Sequence, residues 1–115
     1  MTEFKVKRVH EDPSEDDGRR ILVDRLWPRG ISKQAAKIDD WPKDATPSTE
    51  LRNAYHHGEV DEAEFAERYR TELETSGAAV ALALDLSGTV TLVTAVKEPD
   101  HGHVPVLRQA LTEAI

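Results

Sequence analysis

The sequence predicts an α/β fold, a small and mostly parallel sheet of about three strands packed with about five helices. Three observations carry this. Residues 4–10 (Phe-Lys-Val-Lys-Arg-Val-His) alternate apolar with polar, the period of a half-buried strand. Residues 20–26 contain the uninterrupted run Ile21-Leu22-Val23, which fits a strand covered on both faces, as at the centre of a parallel sheet. Residues 89–96 (Thr-Val-Thr-Leu-Val-Thr-Ala-Val) are β-branched and short, a third buried strand. Helical patterns lie between the second and third strands and after the third, and that order favours layered α/β architecture.

The connecting elements follow in order. Residues 11–18 are a loop by composition (Glu-Asp-Pro-Ser-Glu-Asp-Asp-Gly). Ser32 is suited to cap a short helix over 33–38, because its hydroxyl can accept an orphan backbone N–H. Trp41, Pro42 and Pro47 make 39–47 irregular. A helix is expected from Ser48 or Thr49 to His56, with Gly58 as the breaker. The clearest helix covers 61–75. Asp61 and Glu64 fit a variant capping box, Val60 and Phe65 a hydrophobic staple, and Phe65, Tyr69 and Leu73 form one apolar stripe. Glu64 precedes Arg68 at the spacing that favours an ion pair. Gly77 should break or kink the chain. Ala78–Leu86 reads as a buried helix stopped by Ser87-Gly88, and a last helix should span 104–113.

The chain has 115 residues, 15 basic and 22 acidic, for a formal charge of −7. That length suits one domain with its own core, over 1–115. No apolar run approaches the ~20 residues needed to cross a bilayer. The N-terminus lacks an apolar signal region, so a cytoplasmic location is the expectation. There is no cysteine, which excludes disulfides, thiolate nucleophiles and zinc–thiolate sites. The acidic balance disfavours nucleic acid as a partner, although bases are prominent in 19–37 and acids concentrate in 59–74.

Two strand ends carry the polar chemistry. The second strand runs into Asp24-Arg25-Leu26-Trp27-Pro28-Arg29-Gly30, and the third into Lys97-Glu98-Pro99-Asp100-His101-Gly102-His103. In open α/β sheets, ligands bind beyond the carboxyl ends of parallel strands. Parallel strands would bring these loops together beside a helix start, where free N–H groups favour an anion. Arg25, Arg29 and Lys97 would supply charge, Trp27 a wall, and Asp24 an orienting carboxylate. His101 and His103 are the loop's acid–base groups. Each residue also has a structural role open to it. Asp24 and Arg25 can be an internal ion pair, Trp27 and Trp41 packing, and Lys97 a solvated strand end. His101 and His103 offer two metal ligands, but a third from His10, His56 or His57 would come from afar, so no metal or cofactor is assigned.

These strings also carry a resemblance. Arg8-Val9, the Asp-Gly-Arg-Arg approach at 17–20, residues 22–30, Pro47-Ser48-Thr49-Glu50-Leu51-Arg52, and Ala95-Val96-Lys97 with His101 and His103 occur in one order. Across essentially its whole length the chain resembles the YeaO-like family of small bacterial proteins, a branch of a broader domain family of unknown function. In that broader family the third strand resembles Cys-Ala-Glu-Lys, followed by a Cys-His-Arg turn. Here those places read Thr94-Ala95-Val96-Lys97 and Gly102-His103-Val104. Both cysteines are missing, so thiol chemistry does not carry over, whereas Lys97 and His103 do. The resemblance adds Ser48 and Arg52 as further ligand-binding positions.

Two functions are therefore expected to compete. One is a site for a small anion or phosphorylated ligand, built from Asp24, Arg25, Trp27, Arg29, Ser48, Arg52 and Lys97, with His101 and His103 available for proton transfer. The other is a non-enzymatic interaction module whose Trp-Pro-Arg-Gly surface meets a protein partner or a second copy of the chain.

Overall fold

Three short segments, each with buried apolar residues, form the strands, and four helices separate the second from the third. A computed structural model of the chain describes residues 2–115. Its strands are β1 (Thr2–Arg8), β2 (Arg19–Leu22) and β3 (Gly88–Thr94). Its helices are α1 (Lys33–Ala36), α2 (Thr49–His56), α3 (Glu62–Ser76), α4 (Ala78–Leu84) and α5 (His103–Glu113). Both outer strands run parallel to β3, in the order β1-β3-β2. The chain is thus α/β as its sequence predicts, with a sheet parallel throughout.

The central position belongs to β3, not to β2. Ile21, Leu22 and Val23 are nonetheless fully buried. The outer edge of β2 is closed by an irregular segment: Leu22 N–H donates to Asp40 O at 2.9 Å, and Asp39 N–H to Arg20 O at 2.8 Å. An apolar run reports that a strand is covered, and here a loop supplies the cover on the strand's open side.

One face of the sheet presents Phe4, Ile21, Val23, Val90 and Leu92 to the helices. Phe65, Tyr69 and Leu73 of α3 and Leu107 and Leu111 of α5 fill that core. The Tyr69 hydroxyl donates to the Ala45 carbonyl, which ties α3 to the 310 turn at Lys43–Ala45. On the other face Val93 packs with Val9 and Ala36, flanked by Trp27, Ile31 and Ile38. Asp17 is also buried. It accepts from Lys7 Nζ at 2.8 Å, Arg20 Nη1 at 2.6 Å and Ser14 N–H at 3.0 Å. Burial pushes its carboxyl up, but these donors outweigh burial and hold the pKa at about 2.

Several boundaries differ from expectation. β2 ends at Leu22 rather than Leu26, and β3 at Thr94 rather than Val96. Val23 N–H still donates to Val93 O at 3.0 Å, but the Ala95 N–H goes to the Asp24 carboxylate at 2.8 Å. A side chain replaces a backbone partner there, and the two strand ends separate. The 11–18 loop contains a 310 turn, Glu15–Asp17, capped by Ser14. α1 stops at Ala36 because Lys37 enters the left-handed region at φ 49°. Asp61 caps α3, accepting from Glu64 N–H at 2.8 Å, while the Glu64 carboxylate turns to Arg68 at 2.5 Å. α4 is not buried all round: Ala79 and Ala83 face the core, and Leu84 is 83% exposed. Small residues make its inner face, a pattern that average hydrophobicity hides.

Candidate functional site

Parallel pairing brings the ends of β2 and β3 to one edge of the sheet, and the loops that follow them meet there. Between them and helices α2 and α3 lies a cleft of about 660 Å³. Of the residues expected at a site, Asp24, Arg25, Trp27, Arg52, Lys97, His101 and His103 all line it. Arg29 is exposed and is not among the lining residues. Ser48 also lies outside the lining. It caps α2 by accepting from Leu51 N–H at 3.1 Å, and its hydroxyl donates to Glu72 at 2.5 Å.

Asp24 is the organising group. One carboxylate oxygen accepts from the Thr94 hydroxyl at 2.6 Å and from His103 Nε2 at 2.9 Å, and the other from Ala95 N–H. Its ionisable side-chain partner is therefore the His103 imidazole and not Arg25. Burial would raise the Asp24 pKa, but the donors from His103, Thr94 and Ala95 prevail and leave it below the usual carboxylate value. An ionised carboxylate at Nε2 keeps the proton on that nitrogen, so His103 Nδ1 is the atom left for other partners. The Thr94 hydroxyl also accepts from Val96 N–H at 3.2 Å, which shapes the chain as it leaves β3. Thr94 and Gly102 stand where the broader family is read as having cysteine. Gly102 precedes α5 at φ 79° and ψ −138°, a conformation essentially restricted to glycine.

The cations are arranged differently. Arg25 Nη1 makes a long 3.4 Å bond to Pro47 O. Arg52 Nε is buried without a hydrogen-bond partner. Lys97 is exposed in the loop three residues past the end of β3. Among the described residues none of these three forms an ion pair. His101 sits at the rim with Nδ1 3.1 Å from Glu62, and that hydrogen bond and the carboxylate's charge raise its pKa. α5 begins at the cleft with no side chain capping it.

The apolar wall came from residues that sequence reasoning did not assign to a site. Tyr55 of α2 stacks on Phe65 of α3 with ring centroids 4.3 Å apart and planes 22° apart, and both line the cleft with Pro47 and His56. Phe65 read as a core residue, which it also is, and nothing in the spacing of Tyr55 marks it out. Trp27 lines the cleft, but its indole N–H donates inward to Ile31 O at 2.7 Å. Trp41 donates to Asp24 O at 2.7 Å and meets Trp27 edge to face at 5.4 Å. Both tryptophans therefore brace the loop after β2. Among the described residues no group of three or more His, Asp or Glu side chains is arranged to hold a metal ion.

Fold and site together define a small parallel α/β domain with a polar strand-end cleft organised by a carboxylate–imidazole pair. The chain belongs to the family described as the inactive DUF488-N3 subclade, whose model matches residues 3–115. It is similar to the uncharacterized protein Rv3073c of Mycobacterium tuberculosis, with 47% identity over 112 residues, 96% of this chain and 94% of that protein. It is also similar to the uncharacterized protein YeaO of Escherichia coli, with 45% identity over 107 residues, 90% of this chain and 92% of that protein. No solved structure matches the chain. No helix is long and apolar enough to cross a membrane among the described residues.

Proposed function

We propose that the strand-end cleft binds a small anion and that binding, rather than turnover, is its work. The supporting observation is the state of its cations. The chain has 22 acidic residues for 15 basic ones, and Lys7, Arg19, Arg20 and Arg68 all have carboxylate partners. Arg25, Arg52 and Lys97, three of the eleven basic residues without a carboxylate partner among the described residues, gather in one cleft. A buried donor left without a partner, as at Arg52 Nε, costs about 1–3 kcal/mol. Arginine's donor fork suits a bound phosphate or carboxylate.

Asp24 is occupied by Thr94, Ala95 and His103, so its part is to hold the strand ends and the imidazole in place. His103 would meet a ligand through Nδ1, and His101 would act from the rim. The lining contains no serine, threonine or cysteine, and the family's description carries the word inactive. The alternative, an interaction surface on Trp-Pro-Arg-Gly, has less behind it, because both indole N–H groups are spent inside the chain.

Thermal melting with phosphate, sulfate and acetate at constant ionic strength tests the reading. A ligand at ten times its Kd should add about 1.4 kcal/mol, or roughly 5 °C in Tm for a chain of this size. Arg52→Ala and Lys97→Ala should each shrink that rise. If no anion moves Tm beyond a chloride control, the cleft is not an anion site.

A further inference from the structure

We infer that the ligand is an organic monoanion with a flat apolar body, of the aromatic carboxylate class. This deepens the anion-binding reading and rests on it. Three features of the cleft support it. The first is size: about 660 Å³ is far more than an inorganic oxyanion fills, and it falls in the range of clefts that enclose small organic molecules. The second is charge. Counting the imidazoles as neutral, the lining carries Arg25, Arg52 and Lys97 against Asp24 and Glu98, which is 3 − 2 = +1. One negative charge balances that, which a single carboxylate group supplies.

The third feature is the wall. On the helix side Tyr55 lines the cleft, backed by the buried Phe65 on which it stacks, and Leu26, 60% exposed, stands at the loop side with Trp27 and Pro47. A planar apolar group seated against this exposed leucine would bury apolar surface on both partners. The carboxylate of such a ligand would sit toward Arg25 and Arg52, with its ring between Leu26 and Tyr55.

Isothermal titration with four probes tests this: naphthoate, acetate, inorganic phosphate and the neutral naphthalenemethanol. Naphthoate should bind at least about tenfold more tightly than acetate or phosphate, because only its ring buries apolar surface. It should also bind at least about tenfold more tightly than naphthalenemethanol, which lacks the charge that the arginines require. Leu26→Ala, at an exposed position that cannot upset the core, should weaken naphthoate several-fold and leave acetate unchanged. Lys97→Ala, likewise exposed, should weaken every anion. Acetate or phosphate binding as tightly as naphthoate would refute the aromatic body while leaving the anion site standing. Naphthalenemethanol matching naphthoate would refute the role of charge. Failure of every anion to bind would remove the anion reading and this inference together.

Discussion

Removing the Asp24 carboxylate should loosen the whole strand-end edge. Asp24→Ala strands three donors at once: the Thr94 hydroxyl, the Ala95 N–H and His103 Nε2. Hydrogen bonds to a charged group contribute roughly 1.5–3 kcal/mol each, so a fully sealed site would lose well over 4 kcal/mol. The side chains of Asp24 and His103 are 14% and 13% exposed beside an open cleft, so water replaces part of the loss. We expect about 3–4 kcal/mol for Asp24→Ala, and about 2 kcal/mol for Asp24→Asn, which keeps the shape and can still accept from Ala95. Urea denaturation at pH 7 measures both. The pH dependence adds a second signature. The folded-state pKa of Asp24 lies below its ordinary value, so its contribution is complete above the normal carboxylate range and is lost as pH falls through the lowered value. The gap between wild type and Asp24→Asn should therefore narrow in acid. Because Asp24 and His103 contact each other, their alanine variants should be non-additive by about 1–3 kcal/mol. An Asp24→Ala cost under about 1 kcal/mol, additive with His103→Ala, would refute the claim that this carboxylate organises the cleft.

Three further outcomes are expected. Asp17, held at about pKa 2 against an ordinary 3.8, contributes about 2 kcal/mol that is present above pH ~4 and disappears as pH falls toward 2. Asp17→Asn should cost about 3–5 kcal/mol at neutral pH by leaving Arg20 buried and unpaired, and urea titrations should show its deficit shrinking in acid; a deficit independent of pH would contradict this. Gly18→Ala should destabilise by more than about 2 kcal/mol, because φ is +62° and an added Cβ would fall 2.1 Å from the Thr89 carbonyl oxygen; a melting temperature unchanged by this substitution would show that the turn relaxes freely. Ser48→Ala should cost about 1–2 kcal/mol through loss of the α2 cap while leaving anion affinity unchanged, and an equal loss of binding would move Ser48 into the site.

Local signals were legible where one residue's chemistry decides the outcome. Ser32 and Asp61 cap the helices that their positions announced, and Phe65, Tyr69 and Leu73 form the buried stripe of α3. Strand order was not legible. The pattern of Ile21-Leu22-Val23 encodes burial, and burial arises equally from a central place in a sheet or from an edge closed by residues 39–40. Strand ends were misread for a related reason. Asp24 takes the Ala95 N–H that a longer ladder would have used, and such a substitution joins residues 71 positions apart.

The site divides along the same line. By itself the sequence determined that charged and aromatic residues follow two apolar strands, that cysteine chemistry is impossible, and that the chain resembles its family from end to end. Parallel pairing then brought those strand ends together, and that was the part of the site a linear reading could anticipate. Only the tertiary structure decided that Asp24 engages His103 rather than the adjacent Arg25, that Arg29 and Ser48 fall outside the cleft, and that Tyr55 and Phe65 complete its wall. The physical reason is range. Caps, turns and periodicity act over a few residues, whereas hydrogen-bond partners and cleft walls depend on which distant side chains the packed sheet and helices leave facing one another.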